Sequence, residues 1–143
     1  MATLDIALGI AAAAHAGQID KAGHPYILHP IRVMLSVNST DERIAAILHD
    51  TVEDTCVTFD YLANAGFSSV VIDAVQALTK MDGETRKEAA LRAVQNPVAR
   101  QVKLADVSDN MDLSRIPEPT EKDFARLEEY KQVREILLAG PEE

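Results

Sequence analysis

The chain contains 143 residues, 47% of them hydrophobic, and carries a formal net charge of −9. This length and composition predict a single domain with a buried core, over residues 1–143. The negative charge argues against nucleic acids and anionic membranes as partners, and no apolar stretch approaches the roughly 20 residues that span a bilayer.

Helical patterns begin near the N-terminus. The alanine-rich run from Leu4 to Ala16 predicts a helix that Gly17 ends, and the lack of a basic leader argues against a signal peptide. A loop with further glycine and proline follows. Pro30 then predicts the start of a short helix, because proline is favoured at the first helical position.

Capping residues predict where several later helices begin. Ser39 and Glu42 show capping-box spacing, as do Thr85 and Glu88, and Thr120 precedes the last amphipathic run. Strand signals are nearly absent and aromatic residues make up 4% of the chain, so we predict an all-α fold. The predicted helices run from about residue 40 to 50, 58 to 65, 68 to 79, 85 to 94, 97 to 110 and 120 to 140.

The string from His49 to Asp54 concentrates groups that bind metals or carry protons. On a helix, Asp50 lies three residues before Glu53 and four before Asp54, so three carboxylates crowd into one turn. Like charges at these spacings destabilise a helix, and a divalent cation would reverse that effect. A solvated acidic helix end is the alternative, but the apolar run before the string favours a position beside the core.

Two other positions offer possible metal ligands. His29 precedes Pro30, which we expect to hold it extended, and Asp106 follows an apolar helical run. Each alone is typical of a hydrogen-bonded or ion-paired residue. With His49 and Asp50 they form a set of two imidazoles and two carboxylates, which suits Mn²⁺, Fe²⁺ or Zn²⁺ and leaves positions open for water and a phosphate oxygen.

Residues 80 to 103 stand out by their charge. They carry six cations and three carboxylates, a net charge of +3 in a chain whose remainder carries −12. Two interpretations remain open. The segment is either a helix face that neutralises a bound anion or an ordinary exposed helix.

The remaining histidines and the single cysteine carry weaker signals. Cys56 excludes an intrachain disulfide and favours a reducing, cytoplasmic location, and we expect it to be packed as a small residue. We expect a structural role for His15 and a solvated position for His24.

Four strings, in order, resemble the HD-domain phosphohydrolases. Within that family the chain is similar to the hydrolase domain of the RelA/SpoT alarmone enzymes and to the stand-alone small alarmone hydrolases. The resemblance covers the chain from the first helix to Asn110. The strings are residues 15–18, residues 21–30, residues 48–55, and residues 102–106 together with Asn110.

This resemblance implies an all-α HD-domain helical bundle that removes the 3′-pyrophosphate of ppGpp or pppGpp to give GDP or GTP. It implies one Mn²⁺ and a water activated by Glu53 and Asp54. A phosphorylated nucleotide would be the substrate, and the oligomeric state is open. The implied metal ligands are His29, His49, Asp50 and Asp106, and the implied substrate-binding residues are Lys21, Asn110, Arg126 and Tyr130.

Departures from the family pattern affect the substrate more than the chemistry. Asp20 stands where alarmone hydrolases carry a basic residue, and Val107, Ser108 and Asp109 replace basic and aromatic positions. Each change removes positive charge near a polyanionic substrate. A phosphohydrolase of another nucleotide or of NADPH, and a non-catalytic nucleotide-binding sensor, therefore remain alternatives.

Overall fold

The computed structural model describes residues 2–141, and most of them are helical. Within that range, β structure is limited to an isolated bridge between Ile19 and Pro25. The all-α prediction is confirmed. The helices are α1 (Leu4–Ala14), α2 (Leu28–Leu35), α3 (Thr40–Leu48), α4 (Thr51–Asp54), α5 (Phe59–Asn64), α6 (Ser69–Leu78), α7 (Arg86–Ala93), α8 (Pro97–Asn110) and α9 (Glu121–Ala139), with a 3₁₀ turn at Leu113–Arg115.

Side-chain caps set the starts of α3, α7 and α9. The hydroxyls of Ser39, Thr85 and Thr120 each accept the backbone N–H three residues later, and the carboxylate at that position accepts the N–H of the cap. A cap of this kind satisfies donors that the helix leaves free and typically contributes about 1 kcal/mol. The predicted starts of these helices are confirmed.

Helix α3 lies at the centre of the main core. Every residue from Ile44 to Leu48 is at most 4% exposed, and the helix packs on α1, α2, α6 and α8. A helix surrounded on all sides needs an apolar residue at nearly every position. The core therefore fixes the C-terminal end of α3, from which His49 emerges.

Helical hydrogen bonding is interrupted between α3 and α4. Asp50 adopts φ −102° and ψ −2°, and the Thr51 hydroxyl donates to the Leu48 carbonyl at 2.8 Å. That bond satisfies one of the carbonyls that the end of α3 leaves free. The predicted helix end at His49 and Asp50 is confirmed, and α4 carries the remaining acidic residues as a separate turn.

The start of α2 corrects one prediction. The helix begins at Leu28, so His29 and Pro30 both lie in its first turn and His29 is not extended. Proline is tolerated there because first-turn N–H groups need no helical partner. The steric bias against a helical residue before proline is overcome by the contacts of the His29 ring with α8.

Cys56 corrects another prediction. It lies in the bend after α4 and is exposed rather than packed. The reason is that the neighbouring Val57, rather than Cys56, packs partly against the core in this bend.

A second apolar cluster joins α7, α8 and α9, and includes Val107, Val133 and Leu137. Two arginines of the basic segment tie neighbouring helices together through backbone carbonyls. The Arg100 guanidinium donates to the Leu137 carbonyl at 2.7 Å, and Arg92 donates to the Thr79 carbonyl at 2.6 Å. These two cations are structural, so only part of the segment remains free for an anion. Among the helices that the structure describes, none has the length and hydropathy to cross a bilayer.

The Glu84–Arg92 pair predicts a pH-dependent contribution to stability. The Arg92 guanidinium and the Met81 N–H hold the pKa of Glu84 at about 2, below its ordinary value of 4.5. The stabilisation is present above pH 4.5 and is lost as the pH falls through about 2. Glu84→Gln should lower the free energy of unfolding by about 1–2 kcal/mol at pH 7, with a shrinking difference below pH 4.5.

Urea unfolding of both proteins at pH 7 and pH 3 measures this difference. Glu128→Gln removes the same charge from an exposed pair with Lys131, and it should change the free energy by less than about 0.5 kcal/mol. An equal effect of the two substitutions at pH 7 would contradict the role given to Glu84.

Candidate metal centre

Three buried side chains from different elements converge below the surface. His29 lies on α2, His49 follows α3 and Asp106 lies on α8, and each is at most 6% exposed. Each offers one ligand atom, and these atoms all lie within 4.8 Å of one another. The tertiary fold therefore brings together groups that are 77 residues apart in the chain.

His49 directs its Nε2 at two carboxylates. Its Nδ1 lies 2.5 Å from the Ala46 carbonyl, and because a carbonyl only accepts, Nδ1 donates the proton. The buried Nε2 then faces Asp50 Oδ2 at 3.0 Å and Asp106 Oδ1 at 3.3 Å, without a hydrogen-bond partner among the described residues. Burial opposes protonation of His49, but Asp50 and Asp106 outweigh it and raise its pKa well above the usual value. The carboxylates therefore favour a positive charge at this point, supplied either by a proton on Nε2 or by a cation that takes its place.

The His29 ring is oriented in the same way, with its Nε2 towards the centre. Its Nδ1 lies 2.6 Å from Asp109 Oδ2, while Nε2 lies 2.8 Å from Asp106 Oδ1 and 3.8 Å from Asp50 Oδ2. When Nδ1 donates to Asp109, both imidazole Nε2 atoms face the same two carboxylate oxygens. Two imidazoles and two carboxylates are a donor set that suits Mn²⁺, Fe²⁺ or Zn²⁺. The residues present thus fit a divalent cation.

The electrostatic surroundings keep both carboxylates ionised. Burial opposes ionisation of Asp106, but the charges of Lys103 and His49 outweigh it and hold the pKa of Asp106 well below its usual range. Lys103 Nζ lies 2.8 Å from Asp106 Oδ2. For Asp50, burial is again outweighed, chiefly by His49, and the pKa is lowered. Its Oδ2 also accepts the Tyr26 hydroxyl. Both residues are therefore anionic at neutral pH, as metal ligation requires.

Glu53 and Asp54 lie at the edge of this centre. Together with Asp50 they offer oxygens within 4.8 Å of one another. The Lys80 N–H donates to Glu53 Oε1 at 2.9 Å. Burial, followed by the charges of Asp50 and Glu53, raises the pKa of Asp54. A carboxylate with a raised pKa is better matched to accepting a proton near neutral pH.

Two cavities adjoin the centre. The first, of about 360 Å³, is lined by Asp50, Asp106 and the Glu53–Asp54 pair. The second, of about 350 Å³, shares several of its residues with the first. All four residues predicted to bind substrate, Lys21, Asn110, Arg126 and Tyr130, line the second cavity, and Asn110 and Tyr130 line both.

The predicted substrate-binding residues differ in their contacts. Asn110 Nδ2 donates to Asp106 Oδ1 at 3.2 Å, which places its amide beside the metal centre. Lys21 Nζ lies 3.2 Å from Asp123 Oδ1. The Tyr130 ring lies under the Arg86 guanidinium, 5.0 Å from its centroid. Their binding roles stay predictions.

Three residues of the centre were not predicted from the sequence. Tyr26 contacts Asp50, and Lys103 and Asp109 contact Asp106 and His29. The sequence did contain a signal for Lys103 and Asp109. Each lies three residues from Asp106, and this spacing places all three on one face of α8. Nothing local identified the partner of Tyr26.

The other two histidines lie outside this group of ligand atoms. His15 is buried, its Nδ1 is 2.8 Å from Gln18 Oε1, and its ring packs 5.0 Å from that of Tyr26. These contacts agree with the structural role expected for His15. His24 is exposed, as expected for a solvated residue.

Comparison with known proteins assigns the chain to a family. The protein-family model described as HD domain matches residues 7–140. The chain belongs to the HD domain family. Its fold is also that of a solved structure described as a metazoan ortholog of SpoT that hydrolyzes ppGpp and plays a role in starvation responses. The two share a TM-score of 0.82 at 25% sequence identity, over 99% of this chain and 88% of the other.

Curated relatives are much longer proteins. A guanosine-3′,5′-bis(diphosphate) 3′-pyrophosphohydrolase of Vibrio cholerae is 38% identical over 117 residues, which cover 71% of this chain and 16% of the relative. A probable GTP pyrophosphokinase of Mycobacterium leprae is 34% identical over 133 residues, covering 83% of this chain and 16% of the relative. The chain thus spans about a sixth of the length of these relatives.

The metal ligands can be tested by removing Asp106. Asp106→Ala should abolish binding of Mn²⁺, because it removes an oxygen that both imidazoles face. Added Mn²⁺ should raise the melting temperature of the parent but not of the variant, since a ligand that binds only the folded state stabilises it. Elemental analysis after dialysis measures the metal content.

The matched control is Asp73→Ala, which removes an exposed carboxylate from α6 and should leave the metal content unchanged. Full metal occupancy in folded Asp106→Ala protein would contradict the ligand set.

Proposed function

We propose that this HD domain is a Mn²⁺-dependent phosphohydrolase that removes the 3′-pyrophosphate of ppGpp or pppGpp and releases GDP or GTP. The observation that carries the proposal is the convergence of two imidazole Nε2 atoms on Asp50 and Asp106 beside a cavity. Relatives named as 3′-pyrophosphohydrolases and the structural neighbour that hydrolyzes ppGpp support the substrate.

The proposed ligands of the metal are His29, His49, Asp50 and Asp106. When bound, Mn²⁺ would supply positive charge that screens the phosphate and acidifies a water molecule. The protein contributes the orientation of the ligands. Ala46 fixes the tautomer of His49, and Lys103 offsets part of the negative charge of Asp106.

The proposed proton acceptors are Glu53 and Asp54. As a water oxygen bonds to the phosphorus next to the 3′ oxygen, the bond between that phosphorus and the 3′ oxygen breaks. The water proton passes to the Glu53–Asp54 pair, and a proton returns from that pair to the departing 3′ oxygen, which becomes the ribose hydroxyl. Pyrophosphate is the second product. The raised pKa of Asp54 supports its role in accepting the proton.

Cations on the walls of the first cavity support a phosphate substrate. Lys80, Arg86 and Lys103 line it together with the acidic pair. Arg86 is paired with Glu129 at 2.7 Å, but both side chains are about 40% exposed, so an exposed pair of this kind exchanges readily for a phosphate. This part of the basic segment serves as the proposed anion-binding wall.

The second cavity is proposed to hold the nucleoside part of the substrate. Asn110 offers an amide for base or ribose hydrogen bonds, the Tyr130 ring offers a stacking surface, and Lys21 and Arg126 offer positive charge. The proposed location is cytoplasmic, in agreement with a single cysteine that forms no intrachain disulfide.

A second candidate is a phosphohydrolase of another nucleotide or of NADPH. The observation that favours it is the pairing of cations around the second cavity with carboxylates. Lys21 pairs with Asp123, and Arg32 pairs with Asp109. Such neutralised cations attract a polyphosphate less than free ones. Incubating Mn²⁺-loaded protein with ppGpp, NADPH and common nucleotides, followed by chromatography of the products, distinguishes the two candidates.

The proposed proton acceptors can be tested without removing the metal. Glu53→Gln and Asp54→Asn should keep Mn²⁺ and lose turnover by about a hundredfold or more, because each removes a proton acceptor. Glutamine also retains an oxygen for the Lys80 N–H. Turnover of ppGpp and metal content are measured on the same preparations.

Asp60→Asn is the charge-matched control, since Asp60 is exposed on α5 and should leave turnover unchanged. Parent-like rates in both acidic-pair variants would remove the role assigned to them.

The negative charge of Asp20 should weaken binding of an anionic substrate. Asp20 lines the second cavity, and its Oδ1 also accepts the N–H groups of Ala22 and His24 at 2.9 Å. Asp20→Asn retains an acceptor oxygen for this loop while removing the negative charge. The KM for ppGpp should fall about threefold with kcat nearly unchanged, which is the signature of uniform binding.

Initial rates at low and high ionic strength measure this effect, because salt should diminish it. The same Asp60→Asn protein controls for net charge. A KM that is unchanged at low salt would show that Asp20 lies away from the bound phosphates.

A further inference from the structure

Asp109 contacts the outer nitrogen of His29. One turn of α8 separates Asp106 from Asp109, so the two carboxylates lie on the same helix face. Asp106 Oδ1 lies 2.8 Å from His29 Nε2, and Asp109 Oδ2 lies 2.6 Å from Nδ1. A single helix face therefore holds both nitrogens of this ring.

Two arginines hold Asp109 in place. Arg32 donates to Asp109 Oδ1 through Nε at 2.8 Å and to Oδ2 through Nη2 at 3.1 Å. Arg115 Nη2 lies 3.4 Å from Oδ2 and donates to the Asp109 carbonyl at 3.0 Å. The bidentate pair with Arg32 restricts rotation of the carboxylate, and only 12% of the Asp109 side chain is exposed.

This arrangement determines what His29 presents to the centre. A ring whose Nδ1–H is bound to a fixed carboxylate cannot turn over without breaking that bond, so its Nε2 stays directed at Asp50 and Asp106. A carboxylate bonded to the outer N–H of a ligating histidine also increases electron donation from the inner nitrogen. Both effects strengthen binding of a cation.

We propose that Asp109, held by Arg32, is a positioning residue that sets the orientation and donor strength of His29 and thereby the affinity of the centre for a divalent metal. The inference rests on the metal centre of the proposed function. It assigns a role to a carboxylate at a position where the alarmone hydrolases that the sequence resembles carry a basic or aromatic residue.

Titration calorimetry with Mn²⁺ alone tests the proposal on the full chain. Asp109→Asn keeps an acceptor oxygen for His29, but its amide cannot accept both Arg32 bonds and carries no charge. The dissociation constant should rise about 10- to 100-fold. Asp60→Asn is the charge-matched control, because Asp60 is exposed on α5, away from Asp109 and its arginines. Its dissociation constant should stay within about threefold of the parent value.

A spectroscopic measurement reads the contact directly. In Zn²⁺-loaded protein, the proton on His29 Nδ1 should resonate far downfield because it is bound to a carboxylate, and it should move upfield in Asp109→Asn. Arg32→Gln provides a second variant that leaves the Asp109–His29 contact possible but frees the carboxylate. Its Mn²⁺ dissociation constant should rise at least threefold, with unchanged circular dichroism.

Each outcome decides the inference. Equal losses of affinity in Asp109→Asn and Asp60→Asn would assign the effect to net charge and overturn it. Parent-like Mn²⁺ affinity in Asp109→Asn, or in Arg32→Gln where Asp109→Asn does not fold, would also overturn it and leave the proposed function standing. Parent protein that binds no Mn²⁺ would instead remove the metal centre itself.

Discussion

Two imidazole Nε2 atoms directed at the same anionic oxygens are the interaction around which this domain is organised. In a low-dielectric interior, such an arrangement is stable only when a positive charge lies among the four groups. Lys103 on α8 supplies a positive charge, but it contacts Asp106 Oδ2, the oxygen that points away from the histidines. The near oxygens of Asp50 and Asp106 still face nitrogen atoms. The fold therefore maintains a region of negative potential that selects for cations.

Rigid packing around the centre keeps these groups together against their mutual repulsion. The buried end of α3 determines where His49 emerges, and the apolar face of α8 packs against both α3 and α9. The polar groups are thus mounted on helix ends and faces whose positions the core determines. The exposed α4 turn lies beside them, where acidic side chains remain accessible to water.

Local signals were sufficient for most helices, because hydroxyl caps, prolines and apolar spacing act within a few residues. Tertiary contacts could not be predicted from local sequence in the same way. His29 is helical despite the following proline, since its ring is held by α8, a part of the chain far from it in sequence. The pairing of Asp109 with Arg32 likewise depends on how α2 meets α8. The contact between Tyr26 and Asp50 depends on how the loop before α2 meets the junction of α3 and α4. Residue chemistry and the family resemblance together supplied the set of groups that converge, whereas the partners outside that set required coordinates.

The exposed position of Cys56 has a practical consequence. It is the only thiol in the chain, and it lies two residues after Asp54, at the end of the turn that carries the acidic pair. A maleimide fluorophore or a nitroxide attached there would sit at one defined place beside the centre and would leave the core undisturbed. Because Mn²⁺ is paramagnetic, it would quench or broaden such a label in a distance-dependent way. Occupancy of the centre would then be followed in real time during a reaction.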